Sequence, residues 1–484
     1  MKKQPTAPDR TAPRSSRSRK PKPPSWKIVH PHAAGIDVGA TAHYVAVPPD
    51  RVPAGQPAVR RFGEFTTDLD ALVEWLRSCL VETVAMESTG VYWIPLFQKL
   101  EAAGLTVVLV NARAAKHVPG RKTDVQDCQW LQQLHSYGLL AASFRPNDAI
   151  CRLRTLVRHR ANLVAHAAEQ VMHMQAALTQ MNLHLHHAVS HLTGETGLRI
   201  LRAMLAGERD PEKLIQLRDA HITKSTPEQM KAALTGDWRP EQLFVLQQAL
   251  RAWEFTHEQM DACDRQIEHQ LKSLPTVSAP TPPPKPRAPD PLAAENPRPK
   301  GQQSRKRNDP LMDLTPELAR VCGIDLTRAG GLRELSALVI VSEIGVDMSP
   351  WRSAKAFASW LGLCPNNKVS GERVLSTRTR PVINRVATAL RMAATGVAES
   401  NTWLGSFHRR MRGRLGPAAA ITATAHKIAN VIYHLLKNKE PYVERDLVKY
   451  EQKVYRNKLN RLRKQAATMG YELVPTAEEK ALAS

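Results

Sequence analysis

No apolar run in this chain of 484 residues approaches the roughly 18–20 needed to cross a bilayer, so no membrane span is expected. Its first residues are charged and lack an apolar core, so they do not read as a secretory signal. Cysteine is scarce. Cys79, Cys128, Cys151, Cys263, Cys322 and Cys364 are scattered and form no CxxC, which argues against a disulfide framework or a zinc ribbon. Such thiols suit a reducing cytoplasm. Aromatic residues are only 5%, too few for binding that rests mainly on base stacking. Acid is in deficit as well: 68 Lys and Arg stand against 45 Asp and Glu, a formal charge of +23. With a membrane set aside, that balance points to nucleic acid as the partner.

The length predicts two or three modules. Residues 1–30 hold nine basic side chains and one acid, Asp9, among Pro and Ser. Such a stretch cannot bury enough apolar surface to fold alone and reads as a basic arm. Residues 31–148 read as an α/β domain. There "AAGIDVG", "HYVAV" and "VRRFGEF" are strands, and "TDLDALVEWLRSCL" is an amphipathic helix with Thr67 as its N-cap. "TVAMEST" is a strand, "WIPLFQKLEAAG" a helix stopped by Gly104, and "TVVLVN" a buried strand before a further helix. Three strands, then helix, strand, helix, strand, helix is the order of a ribonuclease H-like fold.

Residues 149–274 read as a helical arm. Val157, Val164, Val171, Leu178 and Leu185 recur every seven residues, with Ala167, Met174 and Met181 between them and Arg160 as the one break. A second stripe from Leu243 to Leu274, with Asp264 in it, keeps the three–four spacing. Two such stripes predict a coiled coil, within one chain or between chains, and favour a dimerising arm. Residues 275–310 are a Pro-rich basic linker that separates two bodies. Residues 311–475 read as a second, helical domain with 20 basic and 6 acidic residues from Gly371 to Gly470. Within it "CPNNKVSGERVLSTRTRP" reads as a loop, and Pro381 opens the next helix.

Against so basic a background, four acids draw attention. Asp37 in "GIDVG" and Glu87 in "AMESTG" fall where strands end. Asp124 and Asp127 in "RKTDVQDCQW" are spaced i, i+3 and share a helix face. Carboxylates on rigid elements around one point are how proteins hold hard divalent cations for phosphodiester chemistry. For the helical pair alone, the dipole of the helix N-terminus is explanation enough; all four in this order of elements favour a metal. In "NLHLHHAVSH", His184, His186, His187 and His191 are a metal site or, more simply, a polar helix end beside nucleic acid. Tyr92 lacks the Arg–His surroundings of a tyrosine recombinase and reads as packing.

The segments "GIDVG", "MESTGVYW", "VVLVNARAAKHVPGRKTDVQDCQWLQQLHSYGLL" and "FASWLGLCPNNKVSGERVLSTRTR" resemble the bacterial insertion-sequence transposases called DEDD transposases. The resemblance runs from about residue 30 to 475 and includes "TGLRILRAMLAGERDPEKL" and "AITATAHKIANVIYHLLK". It implies a RuvC-like N-terminal domain, a coiled-coil arm and a C-terminal transposase domain. Matched residue by residue, the family's catalytic acids and Mg²⁺ ligands become Asp37, Glu87, Asp124 and Asp127. The family's serine nucleophile, joined covalently to a DNA phosphate, becomes Ser370, with Ser376 as a rival better read as a cap or phosphate contact. Arg373, Arg378 and Arg380, with Arg121 and Lys122, read as phosphate contacts, any one of them equally as a solvated surface charge. The resemblance further implies donor and target DNA, a structured non-coding RNA that selects both sites, a homodimer or homotetramer through the coiled coil, and a place beside the bacterial nucleoid. Where the family often carries a GIG-like turn, this chain has "RAGGLRELSA".

Two other readings stay open at this point. A structure-specific, metal-dependent endonuclease of the Holliday-junction type would need the four acids but not Ser370. A non-catalytic nucleic-acid-binding coiled-coil scaffold would need neither.

Overall fold

In "AAGIDVG" small and branched apolar residues leave one strand able to sit at the centre of a sheet, covered on both faces. The computed structural model describes residues 27–111, 123–219, 224–277 and 308–474. Arg121, Lys122, nearly all of the N-terminal arm and most of the Pro-rich linker lie outside the described residues. The chain divides into two compact units, Met1–Arg145 and Pro146–Ser484.

In the first unit β1 (Ala33–Val38), β2 (His43–Ala46) and β3 (Val59–Phe62) form an antiparallel meander. α1 (Thr66–Ser78) leads to β4 (Thr83–Glu87), and α2 (Trp93–Ala102) leads to β5 (Thr106–Val110). α3 (Asp124–Ser136) ends the series. The strand order is β3-β2-β1-β4-β5, with β4 parallel to β1 and β5 parallel to β4. This is the ribonuclease H-like arrangement, as the sequence pattern predicts. On one face Ala34, Ile36, Val38, Val84 and Met86 meet Leu69, Leu72 and Leu76 of α1 and Leu96 and Leu100 of α2. Each leucine so buried contributes about 1.5–3 kcal/mol. The expected cap at Thr67 is not used. Phe65 is the N-cap, and its backbone N–H donates to the Asp68 carboxylate at 3.2 Å.

In the second unit α4 (Asp148–Gln180) runs out to short helices, α5 (Leu185–Ala188), α6 (Glu195–Leu205), α7 (Pro211–Ile215) and α8 (Pro227–Ala233). α9 (Pro240–Ser273) then returns antiparallel along α4. Rungs along the pair are Gln180 to Gln242 (3.2 Å), Arg160 to Asp264, and Gln270 to the Ala149 carbonyl (3.2 Å). Arg160 and Asp264, which interrupt the two apolar stripes, are each other's partner: Nε–Oδ1 is 2.5 Å and Nη2–Oδ2 is 3.1 Å, both side chains buried. The coiled coil is therefore intrachain, and its two seams cover one another. The seven-residue repeat also stops sooner than the sequence suggests: α4 ends at Gln180, and Leu185 is buried from a separate helix.

The C-terminal helices are α10 (Thr315–Cys322), α11 (Glu334–Ile344) and α12 (Ala354–Trp360). A hairpin follows, β6 (Lys368–Ser370) with β7 (Arg373–Ser376). Then come α13 (Arg385–Gly396), α14 (Trp403–Leu415), α15 (Pro417–Asn438) and α16 (Leu447–Thr468). Pro381 does not open α13, which begins at Arg385 and is capped by the Asn384 side chain accepting from the Ala387 N–H. The base of the arm is tied to these helices. Arg158 grips Glu343 of α11 with two bonds of 2.7 and 2.8 Å, and Arg320 of α10 donates to the Leu271 and Leu274 carbonyls. The described residues on either side of the linker, up to Val277 and from Asn308, belong to one compact unit.

Candidate active site

The acidic end of the first sheet follows from its register. Ile36 of β1 pairs with Met86 of β4 in a parallel ladder, so Asp37 and Glu87 stand side by side as the strands end. Adjacent strands lie about 4.8 Å apart. Because Ile36 and Met86 point into the core, alternation turns Asp37 and Glu87 to the opposite face, which α3 covers.

Gly35 explains how α3 comes so close. A Cβ there would collide with the backbone nitrogen of Gln132 and the backbone oxygen of Cys128, so only glycine admits the helix. The helix direction is fixed at its other end. His135 Nε2 and Thr83 Oγ1 are 2.9 Å apart, tying the last turn of α3 to the first residue of β4. Burial, and then the neighbouring His30 stacked at 4.9 Å, hold the His135 imidazole down at about 4, so it is neutral. With His135 at the start of β4, the first turn of α3 lies at the end of β4. Eleven residues of helix rise about 16 Å, close to the length of the strand. Asp124 and Asp127 occupy that first turn, and Thr123 caps it by accepting from the Gln126 N–H at 3.3 Å. Helix-dipole complementarity and a shared acidic end are both satisfied here.

All four acids therefore belong to one end of one face. Glu87 is buried, Asp37 and Asp127 are half-buried, and Asp124 is exposed. The buried Cys128 thiol between them is pushed up to about 12 by burial and then by the charges of Asp37 and Asp127. Among the described residues, no three of the acids bring their oxygens within 4.8 Å of one another; like charges on separate elements stay apart. The donor set consists of hard carboxylate oxygens on rigid elements, which suits a divalent cation such as Mg²⁺. Sequence reading missed Thr89, whose hydroxyl donates to Glu87 Oε1 at 2.9 Å. It also misassigned Tyr92, which is 47% exposed next to exposed Val91 and Ile94 and does not pack in the core. The "STGVYWI" segment after Glu87 carries both, and its polar start was the available signal.

The second group of site candidates lies on the β6–β7 hairpin, not on a loop. Ser370 ends β6 and pairs directly with Arg373, the first residue of β7. The two-residue turn between them has Gly371 at φ +57 and no positive φ at Glu372, the type II′ pattern that favours glycine first. Ser370, Arg373 and Arg378 are exposed. Ser376 is half-buried and its hydroxyl accepts from the Arg378 N–H at 3.3 Å, a cap within the strand's exit. Arg380 donates to the Ser359 carbonyl at 2.8 Å, which ties the hairpin base to α12. "RAGGLRELSA" is used for packing: a Cβ on Gly331 would meet the Ala393 carbonyl of α13.

A ribonuclease H-like sheet with acids gathered at its strand ends, joined in one chain to a strongly basic helical unit, is a RuvC-like arrangement. A family model described as Transposase, of the DEDD type of IS110 elements, matches residues 34–183. A second, described as Transposase IS116/IS110/IS902 family, matches residues 325–409. No curated protein matches the chain. The chain belongs to the insertion-sequence transposases, enzymes that move DNA, and DEDD domains of this kind work with divalent metal ions. Among the described residues no helix is long and apolar enough to cross a membrane.

Proposed function

We propose that this transposase cuts and rejoins DNA strands with Ser370 as nucleophile and with Asp37, Glu87, Asp124 and Asp127 as the ligands of Mg²⁺. The observation that carries the reading is the hairpin tip: an exposed serine beside a glycine turn, with an arginine as its direct cross-strand partner. Mg²⁺ held by the four acids would neutralise phosphate charge and ease loss of the hydroxyl proton. Ser370 Oγ attacks the phosphorus of a DNA phosphodiester. An Oγ–P bond forms, the P–O3′ bond breaks, and the 3′-oxygen leaves as a hydroxyl. A 3′-hydroxyl from a new partner then attacks the phosphoserine, and Ser370 is released as an alcohol. Arg373, a planar fork opposite Ser370, holds the phosphate during both steps. Arg378 and Arg380, with Arg121 and Lys122 outside the described residues, add backbone contacts.

A structured non-coding RNA supplies the choice of site by base pairing. The charge of +23 with 5% aromatics suits a protein that binds backbone and shape and leaves base reading to another strand. Two duplexes need more than one active site, so the working form is a homodimer or homotetramer. The coiled-coil arm joins the subunits: its two seams cover each other within the chain, and the paired helices still expose Met172, Phe244 and Phe255 to a second arm.

Ser370→Ala tests the mechanism. The exposed side chain contributes little to folding, so the variant keeps its melting temperature. It loses the covalent protein–DNA adduct on denaturing gels, and strand transfer drops by at least about 10³-fold. Full cleavage by the variant would instead identify a metal-dependent, water-using endonuclease.

A further inference from the structure

We propose that His184, His186 and His187 form a binding site for a borderline-soft divalent metal ion, with Zn²⁺ as the reference ion, at the outer end of the α4–α9 hairpin. Nothing in the recombination chemistry uses these residues. Among the described residues they are the one group of three metal-ligating side chains whose donor atoms all lie within 4.8 Å of one another.

The segment is held before any ion arrives. Leu183 and Leu185 are fully buried and Ala188 is buried too, which anchors the segment, while His184 and His186 are half-buried and His187, on the turn of α5, is exposed. The His184 N–H donates to the Ala233 carbonyl of α8 at 2.8 Å, and the Asp237 N–H to the Met181 carbonyl at 2.7 Å. Ser225 Oγ donates to the Ala188 carbonyl at 2.8 Å. The ring centroids lie 6.1 Å apart for His184–His186, 5.7 Å for His184–His187 and 4.2 Å for His186–His187.

The hydrogen bonding singles out which atoms face the ion. His184 Nε2 lies 3.0 Å from Asn182 Oδ1. A carboxamide oxygen only accepts, so Nε2 carries the hydrogen and Nδ1 carries the lone pair. That Nδ1 is buried and without a hydrogen-bond partner, and so is Nδ1 of His186. Buried ring nitrogens left without partners are costly, and a metal ion would satisfy both. An outer nitrogen held by a carbonyl oxygen is also how metal-bound imidazoles are oriented in general. Lys224, the nearby cation, has its ammonium on the Val189 carbonyl at 2.6 Å and near the His186 carbonyl at 3.5 Å. Zn–N bonds near 2.1 Å set tetrahedral nitrogens about 3.4 Å apart, within reach of ring rotations on this backbone. Three imidazoles and a water complete four-coordination, and imidazole donors select Zn²⁺, Ni²⁺ or Cu²⁺ over Mg²⁺.

The test is calorimetric titration of the metal-stripped full chain with Zn²⁺, with Co²⁺ absorption as the geometric readout. To silence the acidic site, both are run in a Glu87→Gln background. One equivalent of Zn²⁺ is expected to bind there, and Co²⁺ to show the visible bands of a tetrahedral, nitrogen-rich site. His187→Gln, at an exposed ring, should abolish both signals while circular dichroism stays unchanged. Asn182→Gly, which keeps the left-handed backbone at φ +53, should weaken binding by about 10–100-fold. Equal stoichiometry and affinity in His187→Gln, or no Zn²⁺ bound in the Glu87→Gln background, would overturn the proposal.

Discussion

The acidic end of the first sheet and the β6–β7 hairpin are built in opposite ways. Asp37 and Glu87 stand on adjacent strands packed over a continuous core, and a glycine admits α3 to within backbone contact. On the hairpin Val369, Val374 and Leu375 are all more than half exposed, and Ser370 sits at its tip. Oxygens that must share one cation need fixed spacing, which a buried scaffold supplies. The nucleophile proposed at Ser370 would have to reach a phosphate inside a bulky duplex, and an exposed two-stranded tip supplies that access. The contrast teaches that precision and reach are assigned to different parts of the chain.

The largest expected effect comes from removing charge at the precise end. Glu87→Gln keeps shape and its contact with Thr89, yet strand cleavage at saturating Mg²⁺ should fall about 10³-fold, equivalent to about 4 kcal/mol. Its melting temperature should hold, and unchanged cleavage would make the acids purely structural. Gly35→Ala attacks the scaffold instead. Overpacking against the α3 backbone should cost about 1–3 kcal/mol in urea denaturation, and cleavage should decline with it because Asp124 and Asp127 ride on that helix. Wild-type stability would mean that α3 adapts freely and the end is less rigid than the contrast holds. The smallest effect is at the reaching end. Gly371→Ala at φ +57 strains only the turn, by about 1 kcal/mol, so the denaturation midpoint should stay put while adduct yield falls several-fold. A shifted midpoint would show the hairpin to be part of the cooperative core.

The rigid half was legible in the sequence and the exposed half was not, for one reason. Strands over a core must alternate or run apolar, so "AAGIDVG", "TVAMEST" and "TVVLVN" announce themselves, and the acids at their ends stand out. "KVS" and "RVLS" cover no core, carry no such period, and read as a loop although they pair. Local punctuation misled twice: Thr67 and Pro381 look like helix starts, but Asp68 reaching back to Phe65 and the side chain of Asn384 do that work. Arg160 looked like a break in a heptad, and Asp264 like one more member of its stripe. Only the antiparallel register, invisible in either stripe alone, makes them a pair.

That pair sets a length. Sliding α9 past α4 by one heptad, about 10 Å, would restore the apolar seam but bury an unmatched arginine and an unmatched aspartate. Breaking such a pair costs about 3–5 kcal/mol, more than most seams recover. The arm can therefore close in only one frame, and its outer end stands at a constant distance from its base. For an enzyme that must hold separate strands apart before joining them, Arg160 and Asp264 act as the graduation mark on a ruler.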